Sequence, residues 1–562
     1  MAASALLVAL LPVAWLLPNH YPPWLSAWQD GVALLVLSAL ASVFKRGTEI
    51  PAPWAVGIAV ALAAVALQWG VGLLMFGGDA LAVAVYVVAF GLSLTVGLAH
   101  SLPRQADRLR LLPTLSLGVV LAASASVGIA LVQWTGAINL GIWGADLPPG
   151  GRPFGNVAQP NHLCSIAFVG LCSLALLRER GLVGRAGFAL GAVWMLLGMV
   201  MTGSRTGWLQ VAALLLMALA LARRCDARVG LWQVAALALV YGLGVLAWPA
   251  INEALLLAPG RAVDELASGG TRPLHWAAML TAIAHEPWFG YGWQQVSVAQ
   301  VRTADLQPHV GEYIEHSHNL FLDLLVWNGV PVGLLLIGIL VWWFVTRLAR
   351  CRDATVFWLM ACITGLGAHA MVEYPLSYAY FLIPLGLWIG AVDGLQGQGA
   401  RWVMPARTMQ AAGLLFGGLL AWVAVDYLKA EQAFRLLRLE SARIGAAGLT
   451  TPPPDLHLLT QLEAFQRFAH TQARAGMSEA ELDAMRKVTE RFAFPPSMFR
   501  YALAQGLNGQ PDGAALTLLR LCRIHARASC EEGRHAWAGL QQQHPVLRDI
   551  AYPSEAQVHV LK

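Results

Sequence analysis

ALAVAVYVVAFGLSLTVGLA, residues Ala80–Ala99, holds twenty side chains without a charge or a proline. A helix of that length rises about 30 Å, which matches the hydrocarbon core of a bilayer. Arg104, Arg108 and Arg110 follow it. Outward in both directions the pattern repeats. Apolar runs bounded by Pro, Gly or charge lie near 3–18, 30–44, 54–72, 80–99, 113–133, 161–177, 186–201, 207–222, 230–249, 331–346, 355–371, 378–394 and 409–427. The composition agrees: 57% of the 562 residues are hydrophobic and 12% charged, and mean hydropathy is +0.58. A soluble globule carries roughly 25% charged residues. The pattern predicts an all-α, polytopic membrane protein of about 13 transmembrane helices.

The basic residues then set an orientation. Lys45 and Arg46, Arg104 to Arg110, Arg178 to Arg185, Arg223 to Arg228, Arg347 to Arg352, and Arg401 with Arg407 occupy the even-to-odd connections. By the positive-inside rule those connections are cytoplasmic. The start, Met1-Ala-Ala-Ser-Ala-Leu-Leu, lacks the basic region of a signal peptide and is read as a retained first helix. Five arginines fall on the opposite face: Arg152, Arg205, Arg261, Arg272 and Arg302. Cations placed against the topological bias suit an anionic ligand there, although each can also pair with a loop carboxylate or a lipid headgroup. The net charge of +5 is spread between spans and marks no nucleic-acid surface.

The expected division is a transmembrane part over 1–427, with an extracytoplasmic loop at about 250–330, and a helical tail over 428–562. In the loop, Arg272 to His285 reads as an amphipathic helix ending before Pro287, and His318 to Trp327 as a second, ended by Asn328-Gly329. The tail is rich in charge. Its stretch Met498 to Arg520 has Ala and Leu at helical spacing around a Gly-Gln-Pro turn, as in tetratricopeptide-like hairpins or a plain bundle. With an odd span count this tail lies on the extracytoplasmic side. Cys522 and Cys530 are its two cysteines, and eight residues of straight helix would hold them about 12 Å apart. A bridge between them therefore requires a turn near Arg527 to Ser529.

No nucleotide-binding loop, dinucleotide fingerprint, zinc-protease motif or CxxC pair is present. Four extracytoplasmic segments remain as chemistry. Gly151 to His162 offers Arg152, a guanidinium fork suited to phosphate, with Gln159 and Asn161 as donors and acceptors; Gln-Pro-Asn also suits a helix cap. Gly203-Ser-Arg-Thr-Gly207 places Arg205 in a tight turn at a helix start, which suits pyrophosphate as well as a lipid headgroup. The loop carries Arg272 and then Glu312-Tyr-Ile-Glu-His-Ser-His-Asn319, where His316 and His318 would point apart on a helix and together on a strand. A general-base histidine beside arginines fits this segment better than a metal site, since no regular ligand spacing is met. Last, Glu373-Tyr-Pro-Leu-Ser-Tyr378 brings Tyr374 and Tyr378, residues also common as interfacial aromatics.

Arg152 with Gln159-Pro-Asn161, Ser204-Arg-Thr206, Arg272 followed by Pro287-Trp-Phe-Gly-Tyr-Gly292, His318-Asn319 leading to Gly329, and Glu373-Tyr-Pro-Leu376 occur in an order that resembles the O-antigen ligase and polymerase superfamily. Within it the chain looks like a bacterial O-linked oligosaccharyltransferase of the PglL type, and the resemblance covers nearly the whole length. One departure is Gly329-Val-Pro-Val-Gly333, a residue longer than the Gly-x-x-Gly turn usual in the ligases.

The resemblance implies an inverting glycan transfer on the periplasmic face of the bacterial inner membrane, with no metal, no cofactor and no nucleotide. The donor would be a glycan on undecaprenyl pyrophosphate, and the acceptor a Ser or Thr hydroxyl of a pilin-like protein. His318 would activate the acceptor hydroxyl. Arg205 and Arg272 would hold the pyrophosphate, with Arg152, Gln159, Asn161, Tyr374 and His316 around them. Ligation to lipid A core and polysaccharide polymerisation are sibling activities with the same donor. A transporter would instead show charges inside its spans and broken midplane helices.

Overall fold

A computed structural model of the chain describes residues 2–45, 47–101, 108–257, 270–307, 309–397, 401–444 and 452–559. Each apolar run falls on a helix. Eight of these helices have the length and apolar content to cross a membrane: Ala52–Gly70, Gly77–Ala99, Leu111–Thr135, Pro160–Glu179, Leu231–Ala254, Leu320–Ala349, Ala379–Gln396 and Ala406–Ser441. The other five, Leu6–Leu16, Ala27–Ser42, Arg185–Met201, Arg205–Leu221 and Ala354–Ala370, are apolar but shorter. Seventeen residues rise only about 26 Å, slightly less than the hydrocarbon core. The protein is thus all-α and polytopic. Its described strands, Thr48–Pro51 and Arg401–Met404, form one antiparallel ribbon with Thr48 opposite Met404.

The chain divides into two compact units. The first comprises Met1–Ala59, Val85–Gly269 and Ile339–Ala421, and the second Val60–Ala84, Gly270–Gly338 and Trp422–Lys562.

At the centre of the first unit stands Pro160–Glu179, whose side chains are buried without interruption from Asn161 to Leu177. A helix apolar on every side belongs inside a bundle. Helices Arg108–Thr135, Arg185–Met201 and Ala354–Ala370 pack on it. Gly386, Gly390 and Gly394, spaced four apart, leave no room for a Cβ against Ser93, Leu94 and Leu98. Small residues at that spacing let two backbones meet closely where lipid supplies no hydrophobic drive. A deep ion pair here, Arg347 Nε to Asp393 Oδ1 at 2.7 Å, is completed by donation from the indoles of Trp343 and Trp54, each at 3.0 Å.

The second unit is built on the tail. Helices Pro495–Leu507 and Pro511–Ile524 form the expected hairpin around Gly509-Gln510. Ser478 and Glu481 close a capping box at the start of Glu479–Arg491. A disulfide joins Cys522 to Cys530. The turn that permits it lies at His525-Ala526, two residues earlier than expected, because Arg527 already begins the next helix and His525 Nε2 is bonded to Ala493 O at 2.7 Å. Residues 296–306, which the sequence left without structure, form the helix Val296–Thr303 and a 3-10 turn, Ala304–Leu306. Val301 and Ala304 share a core with Ala493, Met498, Leu521 and Ile524, so the loop is packed into the tail.

Candidate active site

In the first unit, three helix ends bring three of the sequence segments together. Gln159 takes the N-cap position of Pro160–Glu179, and Pro160 at N1 forgoes an amide that would have no partner there. The Gln159 side chain does not cap, so helix initiation does not explain it. Its Nε2 is buried and makes no hydrogen bond among the described residues. Asn161 is nine-tenths buried and bridges two other segments. Its Nδ2 donates to Glu373 Oε1 at 2.9 Å, and Ser204 Oγ donates to its Oδ1 at 2.6 Å. Ser204 in turn accepts from Thr206 N at 3.2 Å and caps the helix that begins with Arg205. Arg205 therefore sits half-buried in the first turn of that helix, where the helix dipole favours an anion.

Arg152 enters the same cluster from the preceding loop. Its Nη1 donates to Thr202 O and Gly203 O, both at 3.1 Å. Those carbonyls end helix Arg185–Met201, so the arginine fixes the turn that presents Arg205. Tyr374 stacks on Tyr378 at 6.1 Å between ring centroids. Beneath them His162 Nδ1 pairs with the Tyr380 hydroxyl at 2.7 Å.

In the second unit, the helix Arg272–His285 forms where the sequence placed it. Arg272 is half-buried in its first turn, and His275, one turn along the same face, is 2% exposed. Glu312 reaches this helix start: it accepts from Thr271 Oγ1 at 3.1 Å and lies 3.4 Å from His275 Nε2. The His275 and His318 rings stack, 5.8 Å between centroids and 28° between planes. Burial holds the His275 imidazole below its usual pKa, opposed by Glu312 and assisted by His318 and Arg272.

His318 itself has φ +58, a left-handed backbone that few residues other than glycine adopt. Its neighbours hold it there. Ser317 N donates to Asp323 Oδ1 at 2.8 Å, and Ser317 Oγ donates to Asn319 O at 2.9 Å. Asn319 Oδ1 accepts from Phe321 N and Leu322 N, which starts the next helix at Leu320. Because residue 318 is neither helical nor extended, the two histidines diverge. His316 faces Asp323, 3.7 Å from Oδ2, and Trp327, while His318 faces His275.

The longer Gly329 turn also resolves. Gly329, at φ +72, interrupts Leu320–Ala349, and a Cβ there would strike Trp288 and Phe289. Val330 N donates to Pro287 O at 2.7 Å and Tyr291 N to Val326 O at 2.8 Å, so the Trp-Phe-Gly-Tyr segment and the interrupted helix lock together.

Of the five arginines on the predicted outer face, Arg302 proves structural, its Nε and Nη2 donating to Glu490 Oε2 at 3.0 and 2.9 Å. Arg261 lies outside the described residues. Among the described residues no three His, Cys, Asp or Glu side chains gather to hold a metal ion. Sequence reasoning gave no role to Glu373, Ser204, His275 or Asp323. For His275 the i, i+3 spacing from Arg272 was the available signal; for Glu373, 212 residues from Asn161, local spacing offered none.

Two family models match the chain, one described as O-antigen ligase over residues 190–337 and one as the C-terminal part of a virulence factor membrane-bound polymerase over 357–539. A general O-oligosaccharyltransferase of Acinetobacter baylyi is 27% identical over 543 residues, covering 93% of this chain and 92% of that protein. A ComP-specific O-oligosaccharyltransferase of the same organism is 30% identical over 245 residues, 43% of this chain and 44% of that protein.

Proposed function

We propose that the chain is a membrane glycosyltransferase of the O-antigen ligase superfamily and that it moves a preassembled glycan from undecaprenyl pyrophosphate to a Ser or Thr hydroxyl of a periplasmic, pilin-like protein. The observation that carries this reading is the similarity to a general O-oligosaccharyltransferase along nearly the full length of both chains.

In the proposed step the acceptor oxygen attacks the anomeric carbon as the bond to phosphate breaks, with inversion. His318 takes the hydroxyl proton, and undecaprenyl pyrophosphate leaves carrying the bonding electron pair. A base within reach of a neutral hydroxyl contributes roughly two to four powers of ten in rate. Arg205 and Arg272 supply positive charge for the leaving diphosphate, the role that fixed donors play where transition-state charge builds. Arg152 holds the turn bearing Arg205 and adds its charge to the same group. Asn161 and Glu373 fix the helix ends, Gln159 and Tyr374 contact the sugar or diphosphate, and His316 supports the loop through Asp323.

The proposed setting is the bacterial inner membrane, crossed thirteen times by 1–427, with the basic connections cytoplasmic. The tail, 428–562, is periplasmic, and its disulfide suits an oxidising compartment. A second reading, ligation to lipid A core or polysaccharide polymerisation, is favoured by the descriptions of the two matching family models. Deleting the gene separates them. Loss of the glycan mass from intact pilin, with surface polysaccharide unchanged on a blot, is the expected result; unmodified pilin mass with truncated surface polysaccharide would replace the first reading by the second.

A further inference from the structure

The helix that begins with Arg205 ends at Leu221, and the basic connection after it carries Arg224. In the first unit Arg224 lines a cavity of about 450 Å³ together with Arg350, Arg352, Asp353 and Gln396. The transfer step uses none of these residues. We propose that the cavity binds the phosphate headgroup of an anionic phospholipid, on the face that the charge pattern assigns to the cytoplasm.

Position, charge and construction carry this. Helices Leu320–Ala349 and Ala379–Gln396 end at the cavity and Ala354–Ala370 begins there, so it lies level with the headgroups that meet the ends of apolar spans. Three guanidiniums line it against one carboxylate, Asp353. That carboxylate is engaged in capping: its Oδ1 accepts from Thr355 N at 2.8 Å and Val356 N at 3.2 Å. Among the described residues none of the three arginines forms an ion pair, and Arg224 Nη2 donates to Ala349 O at 2.8 Å. Gln396 Nε2 donates to Arg347 O at 3.0 Å. These two bonds satisfy carbonyls at the end of Leu320–Ala349, whose negative pole would otherwise repel an anion. The arginines are gathered by the chain behind them. The Cys225 and Cys351 sulfurs meet at 3.4 Å, and each of the three arginines adjoins one of those cysteines in sequence. A guanidinium fork suits the paired oxygens of a phosphate. The flank of Leu320–Ala349 favours a lipid over a free phosphate, since Trp342 and Val345 are half exposed there and offer acyl chains an apolar surface.

The test uses the full-length protein, delipidated in a zwitterionic detergent and titrated under native mass spectrometry with phosphatidylglycerol, phosphatidylcholine or glycerol phosphate. Phosphatidylglycerol should fill one tight site, with phosphatidylcholine at least about tenfold weaker. Arg350→Gln with Arg352→Gln leaves Arg224 and its bond to Ala349 in place, and should weaken that site about 30-fold. Each single substitution should weaken it about fivefold, a measurement that stands even if the double variant does not fold. Arg185→Gln with Arg407→Gln removes the same charge from exposed arginines that do not line the cavity, and should change binding by less than about threefold. Equal weakening by the two pairs would overturn the site, because general surface charge would then account for the lipid. Equal affinity for the two lipids would overturn it by removing any role for the headgroup's charge. Displacement of the bound lipid by glycerol phosphate at equal concentration would overturn the lipid as occupant and make the cavity a site for a soluble phosphate.

Discussion

Around Asn161 the links are hydrogen bonds between neighbouring helix ends, made by Ser204, Glu373 and the carbonyls that Arg152 holds. Along the loop that leads to His318, residues 302–315, the supports come from the tail and are mostly ionic. Arg302 pairs with Glu490, 188 residues on; Arg520 meets Asp305 at 3.0 Å. Arg523 donates to Asp305 O at 2.7 Å, and Arg491 joins Asp79 at 3.1 Å and approaches Glu315 at 3.8 Å. The Tyr313 hydroxyl donates to Arg491 O at 3.1 Å. The first cluster is thus a product of helix packing, and the second is a loop that keeps its form because the tail grips it. The tail has a structural duty toward the histidine loop, whatever it does for the acceptor.

Ending the chain at Tyr427 is the severest test of that contrast. It removes Glu490, Arg491, Arg520 and Arg523 together, and transfer measured by intact mass of the acceptor should fall to background. Glycosylation at the normal rate would show that the loop stands without the tail. Next in size, His318→Ala should lower transfer by about 10²- to 10⁴-fold. His316→Ala should cost less than about tenfold, because His316 touches Asp323 and Trp327 rather than His275. Equal losses would mean that the two rings are not separated as described.

Arginines sharpen the comparison further. Arg205→Lys keeps the charge but loses the planar fork, and a drop of about 10- to 100-fold in transfer is expected if that fork grips diphosphate. Arg302→Lys, in a partly exposed pair, should change transfer by less than about threefold, since such pairs contribute about 1 kcal/mol or less. The reverse ranking, read from the same initial-rate assay, would exchange their roles. Smallest in its effect on activity is the disulfide. Replacing Cys522 and Cys530 by serine should lower stability by about 2.5 kcal/mol, from the closure of so short a loop, with transfer retained at room temperature. Unreduced wild-type protein should resist alkylation at both positions.

Much of the architecture was legible because it is written locally. An apolar run announces a helix wherever it lies, and the helix Arg272–His285 and the tail hairpin carried their own period and stop signals. The grouping of Arg152, Asn161 and Ser204 was approached through the one face to which the charge pattern assigns all three. What could not be read was choice of partner. Nothing adjacent to Arg302 distinguishes it from Arg272, yet one is spent on Glu490 and the other stands beside the stacked histidines. The left-handed turn at His318 was hidden for a related reason: its cause is the Asp323 and Asn319 bonding around it, not the histidine.

The long reach of the tail also sets an order of manufacture. Asp79, Arg302 and Asp305 leave the ribosome hundreds of residues ahead of Arg491, Arg520 and Arg523, and a chain folds from its N-terminal end as it is made. During synthesis the Asn161 cluster can assemble as soon as Glu373 has emerged, while the histidine loop waits for nearly the last of the message. A half-made copy, or one shortened by a premature stop, is therefore able to settle in the membrane without its histidine loop in place. On the role proposed for His318, such a copy cannot discharge lipid-linked glycan onto the wrong hydroxyl or onto water, and the cell's stock of donor is left to finished enzyme.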